Sequence, residues 1–388
     1  MNASVARLED VCEINPRAPK NISDETPVSF LPMSAVSEDG YVAFEEARTY
    51  GDVKKGYTYF ERGDVLVAKI TPCFENGKAA STSAIQNKIG FGSTEFHVLR
   101  ASPDVDPKYV FYLLWSDRFR TIGEKGMTGS AGQKRVPADL LKRLEIPLPP
   151  LSEQKRIAAI LDKADRLRQK RRQAIALLDS LTQSIFLEMF GDPVSNPKGW
   201  QWSKLGEIGN LDRGVSKHRP RNDPRLLGGA HPLIQTGDVS NSSGYIRAFR
   251  STYSDLGLFQ SKMWPAGTLC ITIAANIAST GILTFPACFP DSVVGFSSST
   301  PGVSQYVRVW MSFLKKTLET IAPAVAQKNI NLAILRELDI PLPSAESLRK
   351  FNLAMDQLAI EQEKSRLQKQ NSGVLFASLQ HRAFSGQL

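Results

Sequence analysis

The chain has 388 residues, 48 Lys and Arg against 39 Asp and Glu, and a formal net charge of +9. At roughly 100–200 residues per domain that length predicts two to three domains, and 42% hydrophobic with 22% charged residues excludes a largely disordered chain. The basic balance favours a polyanionic partner, nucleic acid before membrane, and says nothing about fold. No basic region followed by an apolar run stands at Met1–Arg7, so no secretory signal is expected. Short β-rich runs follow, Val65–Ile70 and Phe96–Leu99, separated by Gly, Pro, Asn and Ser. Pro107 to Arg120 reads as helix. The segment Ile146-Pro-Leu-Pro149 is expected to end a strand, since proline donates no ladder hydrogen bond and holds its predecessor extended.

Beyond it a long helix is predicted, with Ser152 as N-cap. Ile157, Ile160, Ala164, Leu167, Arg171, Ala174, Leu178, Leu181 and Ile185 alternate at spacings of three and four, a coiled-coil seam. Between Lys262 and Asp291 no residue is charged, a length that fits a membrane span. Pro265, Gly267, Asn276, Gly281 and Pro286 interrupt it, and Leu269–Ile273 is β-type, so strands and loops are expected. Val303 to Ile321 reads as helix. A last helix, capped by Ser344, carries Leu348, Phe351, Met355 and Leu358, turns polar at Gln362, Ser365 and Lys369, and recovers at Phe376 and Leu379.

The chain repeats itself. Arg143-Leu-Glu-Ile-Pro-Leu-Pro149 returns as Glu337-Leu-Asp-Ile-Pro-Leu-Pro343 at offset 194, where Gln133-Lys134 also meets Gln327-Lys328. Arg62–Val67 matches Ala266–Ile271 at offset 204, and Leu8–Val11 matches Leu205–Ile208 at 197. Two copies of one unit follow, each a compact α+β part and then a long helix, with the helices pairing. The segments are 1–150, 151–190, 191–340 and 341–388. Matching Ser180-Leu181 to Ser378-Leu379 implies a four-residue insertion, a stutter, in the second helix. The competing reading is two unrelated amphipathic helices, each packed on its own domain.

Tools for catalysis are scarce. No G-x-x-x-x-G-K-[ST], H-E-x-x-H or Asn-Pro-Pro-aromatic tetrapeptide occurs. Acid–lysine sets such as Asp64 with Lys69 are not duplicated, since the second copy has Thr268 and Ile273 there. Four cysteines without a C-x-x-C pair, and only four histidines, argue against a structural zinc site and point to a reduced, intracellular protein. Residues suited to DNA are plentiful. Arg118, Arg120, Lys125, Lys134, Arg135, Lys142 and Arg143 face only Glu124 and Asp139 in their stretch. Gln133-Lys134-Arg135 follows a glycine-rich loop, where backbone meets phosphate and an amide or guanidinium meets a base edge. The second copy offers Gln327, Lys328 and Asn329 there, with Arg213, Lys217, Arg219 and Arg221 in an earlier loop. Solvated loop charge is the alternative for each.

Leu144-Glu-Ile-Pro-Leu-Pro-Pro-Leu-Ser-Glu-Gln-Lys-Arg-Ile-Ala-Ala-Ile-Leu-Asp162, its echo at Leu338–Pro343, and the Gly191–Trp200 linker resemble the specificity subunit of type I restriction–modification systems. The second copy departs at Pro343-Ser-Ala-Glu-Ser-Leu348. The resemblance implies two similar target recognition domains separated by two long antiparallel helices in a coiled coil, with an internal pseudo-twofold. It implies that each domain reads half of a bipartite site in double-stranded DNA, and that two methyltransferase subunits dock on the helices. S-adenosylmethionine would belong to those partners, and ATP and Mg to an optional restriction subunit; none would be bound by this chain. A non-catalytic, cytoplasmic protein without membrane contact is expected. The alternatives are a stand-alone methyltransferase or nuclease with an unfamiliar site, and an interaction protein for another acidic partner.

Overall fold

Strand pairing opens and closes each half of the chain in the same way. In the computed structural model, which describes residues 4–130, 132–274, 277–321 and 330–388, Ser4–Arg7 pairs antiparallel with Glu145–Leu148. Gln201–Lys204 pairs antiparallel with Asp339–Leu342. The repeated Ile-Pro-Leu-Pro is therefore a closing strand. It ends at Leu148 and Leu342, just before Pro149 and Pro343, while Pro147 and Pro341 lie inside it, opposite Val5 and Trp202. A two-stranded ribbon leaves each strand a free edge, where a residue without an N–H is tolerated.

The chain divides into two compact units, Met1–Arg172 with Leu367–Leu388, and Gln173–Arg366. The long helices Leu151–Phe190 and Ala345–Phe384 are each shared between the units. Among the described residues, unit 1 has two four-stranded sheets. One runs in the order Cys12–Ile14, Phe96–Ala101, Val65–Ala68, Ala79–Ser81 and is antiparallel. The other runs Glu46–Thr49, Pro27–Leu31, Ile89–Gly92, Thr58–Glu61, its central pair parallel. Leu31, Phe60, Leu66, Phe96 and Val98 form one core. The helical reading of 107–120 is corrected to two helices, Pro107–Leu114 and Asp117–Gly126. The break is Ser116, whose hydroxyl donates to Leu113 O (2.6 Å) and accepts from Phe119 N (3.2 Å), so a capping side chain restarts the helix.

Unit 2 repeats the plan. Asn210–Arg213, Val293–Ser297, Leu269–Thr272, Thr280–Leu283 and Gly244–Ile246 make a five-stranded sheet, and Ser251–Tyr253, Leu227–Leu233, Ala287–Cys288 and Met263–Trp264 a four-stranded one. The uncharged stretch after Lys262 is thus strands and loops, and no helix among the described residues is long and apolar enough to cross a membrane. Val303–Ile321 is one helix, as its sequence predicts.

Both long helices contain 40 residues and match end to end at offset 194, which removes the inferred four-residue insertion. Ser344 caps the second, accepting from Ser347 N (3.2 Å). Ser152 does not cap the first, which begins at Leu151; there Gln154 Nε2 donates to Pro149 O at 2.8 Å. In unit 1 the first helix meets the end of the second, with Ile157, Ala158, Leu161, Phe376 and Phe384 in one core. In unit 2 its other end, Leu178, Ile185, Phe186 and Phe190, meets Leu348, Phe351, Met355 and Leu358. The helices therefore pair in opposite directions. Buried positions exceed a single seam: Ala158, Leu161 and Asp165 are buried, whereas Leu167 and Leu181 are 40% and 41% exposed. Each helix packs on a globular part as well as on its partner, so its apolar surface is wider and shifted from a two-helix stripe. Ile160, Ala164 and Leu379 are half-buried.

Candidate nucleic-acid interface

In unit 1 the helix Asp117–Gly126 leads directly into a loop that folds back on itself. Thr128 N donates to Arg135 O (2.9 Å) and Arg135 N to Thr128 O (2.8 Å), which closes the glycine-rich segment as a hairpin. Its exit is tied down. Lys134 O accepts from Thr71 N and Thr71 Oγ1, both at 3.0 Å, and Val136 N donates to Lys69 O at 2.8 Å. The backbone is therefore anchored while the side chains of Gln133 and Lys134 stay exposed.

Arg135 has a different place from its two neighbours. Its Nε and Nη2 grip Glu95 at 3.0 and 2.8 Å. The guanidinium beside Glu95 holds that carboxyl below the ordinary carboxylate range. A fork already filled by a carboxylate is not free to read a base, so Arg135 becomes a brace for the hairpin. Beneath it, His97 Nε2 meets Val136 O at 2.8 Å and Nδ1 meets Asn15 Nδ2 at 3.2 Å. Burial pushes the His97 imidazolium down, favouring the neutral ring these partners require. Neither Glu95 nor His97 carries a sequence signal for this role: His97 lies in the strand Phe96–Ala101, which reads as core, and Glu95 in the turn just before it.

Arg118 and Lys125 are exposed on the preceding helix. Arg120 is half-buried, paired to Asp117 at 3.0 Å and lying against Gly77. Arg118 rims a shallow apolar groove lined by Leu113, Phe119, Ile122, Ile146 and Phe384. The structure thus brings Lys125, Gln133 and Lys134 onto one helix-and-hairpin element, with Arg120 packed beneath.

In unit 2 the early basic loop is organised by two acids. Asp291 is ion-paired with Arg219 (3.4 Å) and with Arg221, and its carbonyl accepts from Arg213 Nε at 3.1 Å. Asp223 takes Arg225 at 2.7 Å and His218 at 2.9 Å, and the Arg225 guanidinium holds it far below the usual carboxylate range. Lys217 is exposed. Beside the loop opens a cleft of mixed lining, with Arg221, Asn222, Gln235 and Thr236 beside Leu227 and Leu233, which the sequence does not announce. Gln327, Lys328 and Asn329 lie outside the described residues. The residue after them is placed as its counterpart is: Ile330 N donates to Ile273 O at 3.0 Å, the equivalent of Val136 to Lys69. Among the described residues no group of three His, Cys, Asp or Glu is placed to hold a metal ion.

A family model described as the type I restriction modification DNA specificity domain matches residues 2–177 and again 197–369. The specificity subunit of the type I restriction enzyme EcoAI of Escherichia coli is 44% identical over 185 residues, 46% of this chain and 31% of that protein. That of EcoEI, also of E. coli, is 35% identical over 207 residues, 52% of this chain and 34% of that protein. The chain thus spans about a third of the length of these two relatives. The putative MjaX specificity subunit of Methanocaldococcus jannaschii is 25% identical over 81% of this chain and 76% of its own. Among solved structures, a type I restriction–modification S subunit from M. genitalium covers 99% of this chain and 96% of its own with a TM-score of 0.59 at 16% identity. At that identity the likeness is one of fold.

Proposed function

The chain belongs to the type I restriction modification DNA specificity family, and from that premise we propose that it is the sequence-reading subunit of a type I restriction–modification complex. One observation carries the reading: two units of the same plan, each closed by the same ribbon, with an exposed polar and basic loop in each. Duplicated readers suit a bipartite site, one half-site for each unit. Anchored backbones with exposed Gln133, Lys134 and Lys217 suit the division between phosphate contacts, which position, and base contacts, which specify.

The paired helices serve as spacer and as dock for two methyltransferase subunits, which bring S-adenosylmethionine. A restriction subunit brings ATP and Mg. The chain itself performs no chemistry, and it works where the genome is, in the cytoplasm. Exchanging residues 191–340 for those of a relative tests this directly. Methylated sites, read by sequencing, should change in one half and keep the other. A change in both halves, or methylation by this chain without partners, overturns the proposal.

A further inference from the structure

In each unit the same turn packs against a helix of its own globular part. It is Glu38-Asp39-Gly40-Tyr41-Val42 in unit 1 and Ser242-Ser243-Gly244-Tyr245-Ile246 in unit 2, matched at offset 204. Both glycines are left-handed, with φ of +84° and +94°. A Cβ on Gly40 would lie 2.8 Å from Trp115 Cζ2, and one on Gly244 2.4 Å from Arg308 Nη1. Only glycine fits at this seat.

What flanks the seat differs. In unit 1 Asp39 is ion-paired with Arg172 of the first long helix. Arg168, one turn earlier, lies over the rings of Trp115 (5.3 Å) and Phe376 (4.5 Å). In unit 2 Arg247 meets Glu363 of the second long helix at 3.4 Å and also lies 4.9 Å over the Tyr245 ring. The polarity is reversed: acid on the globular part and base on the helix in unit 1, the converse in unit 2. At offsets 204 and 194 the counterparts of Arg247 and Glu363 are Ala43 and Gln169, so each unit has its own clamp beside a shared seat.

An apolar core already joins each globular part to the long helices, but apolar packing is non-directional and leaves small changes of tilt cheap. A charged pair between this turn and a long helix adds a directed tie at one side of that core. In both clamps the helix residue has a buried polar atom without a hydrogen-bond partner, Arg172 Nη2 and Glu363 Oε2, so each desolvated charge leans on its ionic partners. Glu363 has one more, Arg366 at 3.8 Å. The pairs are otherwise 22–42% exposed and contribute little to stability.

We infer that Asp39–Arg172 and Arg247–Glu363 are positioning pairs that fix the tilt of each recognition domain on its helix, and with it the gap accepted between half-sites. The inference rests on the DNA-reading function proposed above. The test uses complexes assembled with methyltransferase subunits on DNA whose half-sites are kept and whose gap is varied by one or two base pairs. Asp39→Ala and Arg172→Ala should leave the half-site bases and cooperative melting unchanged while preference for the native gap falls about tenfold. The charge-reversed pair Asp39→Arg with Arg172→Asp should restore it, and Arg247→Glu with Glu363→Arg should behave likewise in unit 2. An unchanged gap preference, failed restoration by the reversed pairs, or loss of cooperative melting in the single variants overturns the clamps. Sequence-independent methylation with the unaltered chain overturns the DNA reading instead.

Discussion

Tyr109 and Tyr306 do the same work in the two units. Each hydroxyl donates to the carbonyl of the in-strand proline, Pro147 at 2.7 Å and Pro341. Each ring packs on a phenylalanine at a helix end, Phe384 at 5.4 Å and Phe190 at 5.0 Å. Tyr109→Phe should cost about 0.5–1.5 kcal/mol, read as a lower urea midpoint at unchanged slope. The exposed residues of the hairpin should behave in the opposite way. Gln133→Ala or Lys134→Ala should leave stability within ~0.5 kcal/mol and weaken DNA binding by about 1–3 kcal/mol if a base edge is read, measured by titration at fixed salt. His97 adds a pH dependence. Its pKa is lowered in the folded protein, so the unfolded chain binds the proton more readily. Its contribution is complete above the unfolded value near 6.5 and is lost as pH falls through it. Melting of the unaltered chain between pH 7.5 and 5 should therefore show a downward slope that His97→Asn removes.

At the scale of elements, burial sorts the first long helix into positions of unequal weight. Leu161→Ala, at a site with no exposure, should cost about 2–5 kcal/mol in chemical denaturation. Leu177→Ala, 70% exposed, should cost less than about 0.5 kcal/mol. The sequence makes the helices legible through their spacing, and the closing strands through the repeated Ile-Pro-Leu-Pro. It does not show which face is buried, because a seam drawn for two helices ignores the globular part each also touches. The stutter was an artefact of matching Ser180-Leu181 to Ser378-Leu379, whereas the pinned ends are Phe190 and Phe384. Candidate DNA residues were legible as clusters of charge. Which of them are free was not, since Glu95 and Asp291 come from distant positions to engage Arg135 and Arg221.

For the whole molecule, charge is better read by segment than in total. Residues 1–150 carry 19 basic and 20 acidic groups, so the +9 hides a first recognition domain that is not basic at all. On the proposed function its affinity for DNA comes from local clustering, which predicts a steep salt dependence for the complex and a weaker one for unit 1 alone. The units also differ in how the chain builds them. Unit 2 is one continuous stretch, 173–366, while unit 1 needs 1–172 together with 367–388. The fragment 173–366 should melt cooperatively in isolation. The fragment 1–172 should not until a peptide of 367–388 supplies Phe376, Gln380 and Phe384; its doing so unaided would show that this helix end is dispensable.

That split has a consequence during synthesis. The ribosome finishes every residue of unit 2 before it reaches the segment that completes unit 1. Tyr112 must wait for Gln380, whose amide donates to its carbonyl at 2.9 Å, through more than half the chain's translation. The first domain made is the last to close, and its apolar helix face stays uncovered for that interval. A nascent chain paused near residue 366 is therefore the point at which a chaperone, or a docking partner, has most to hold.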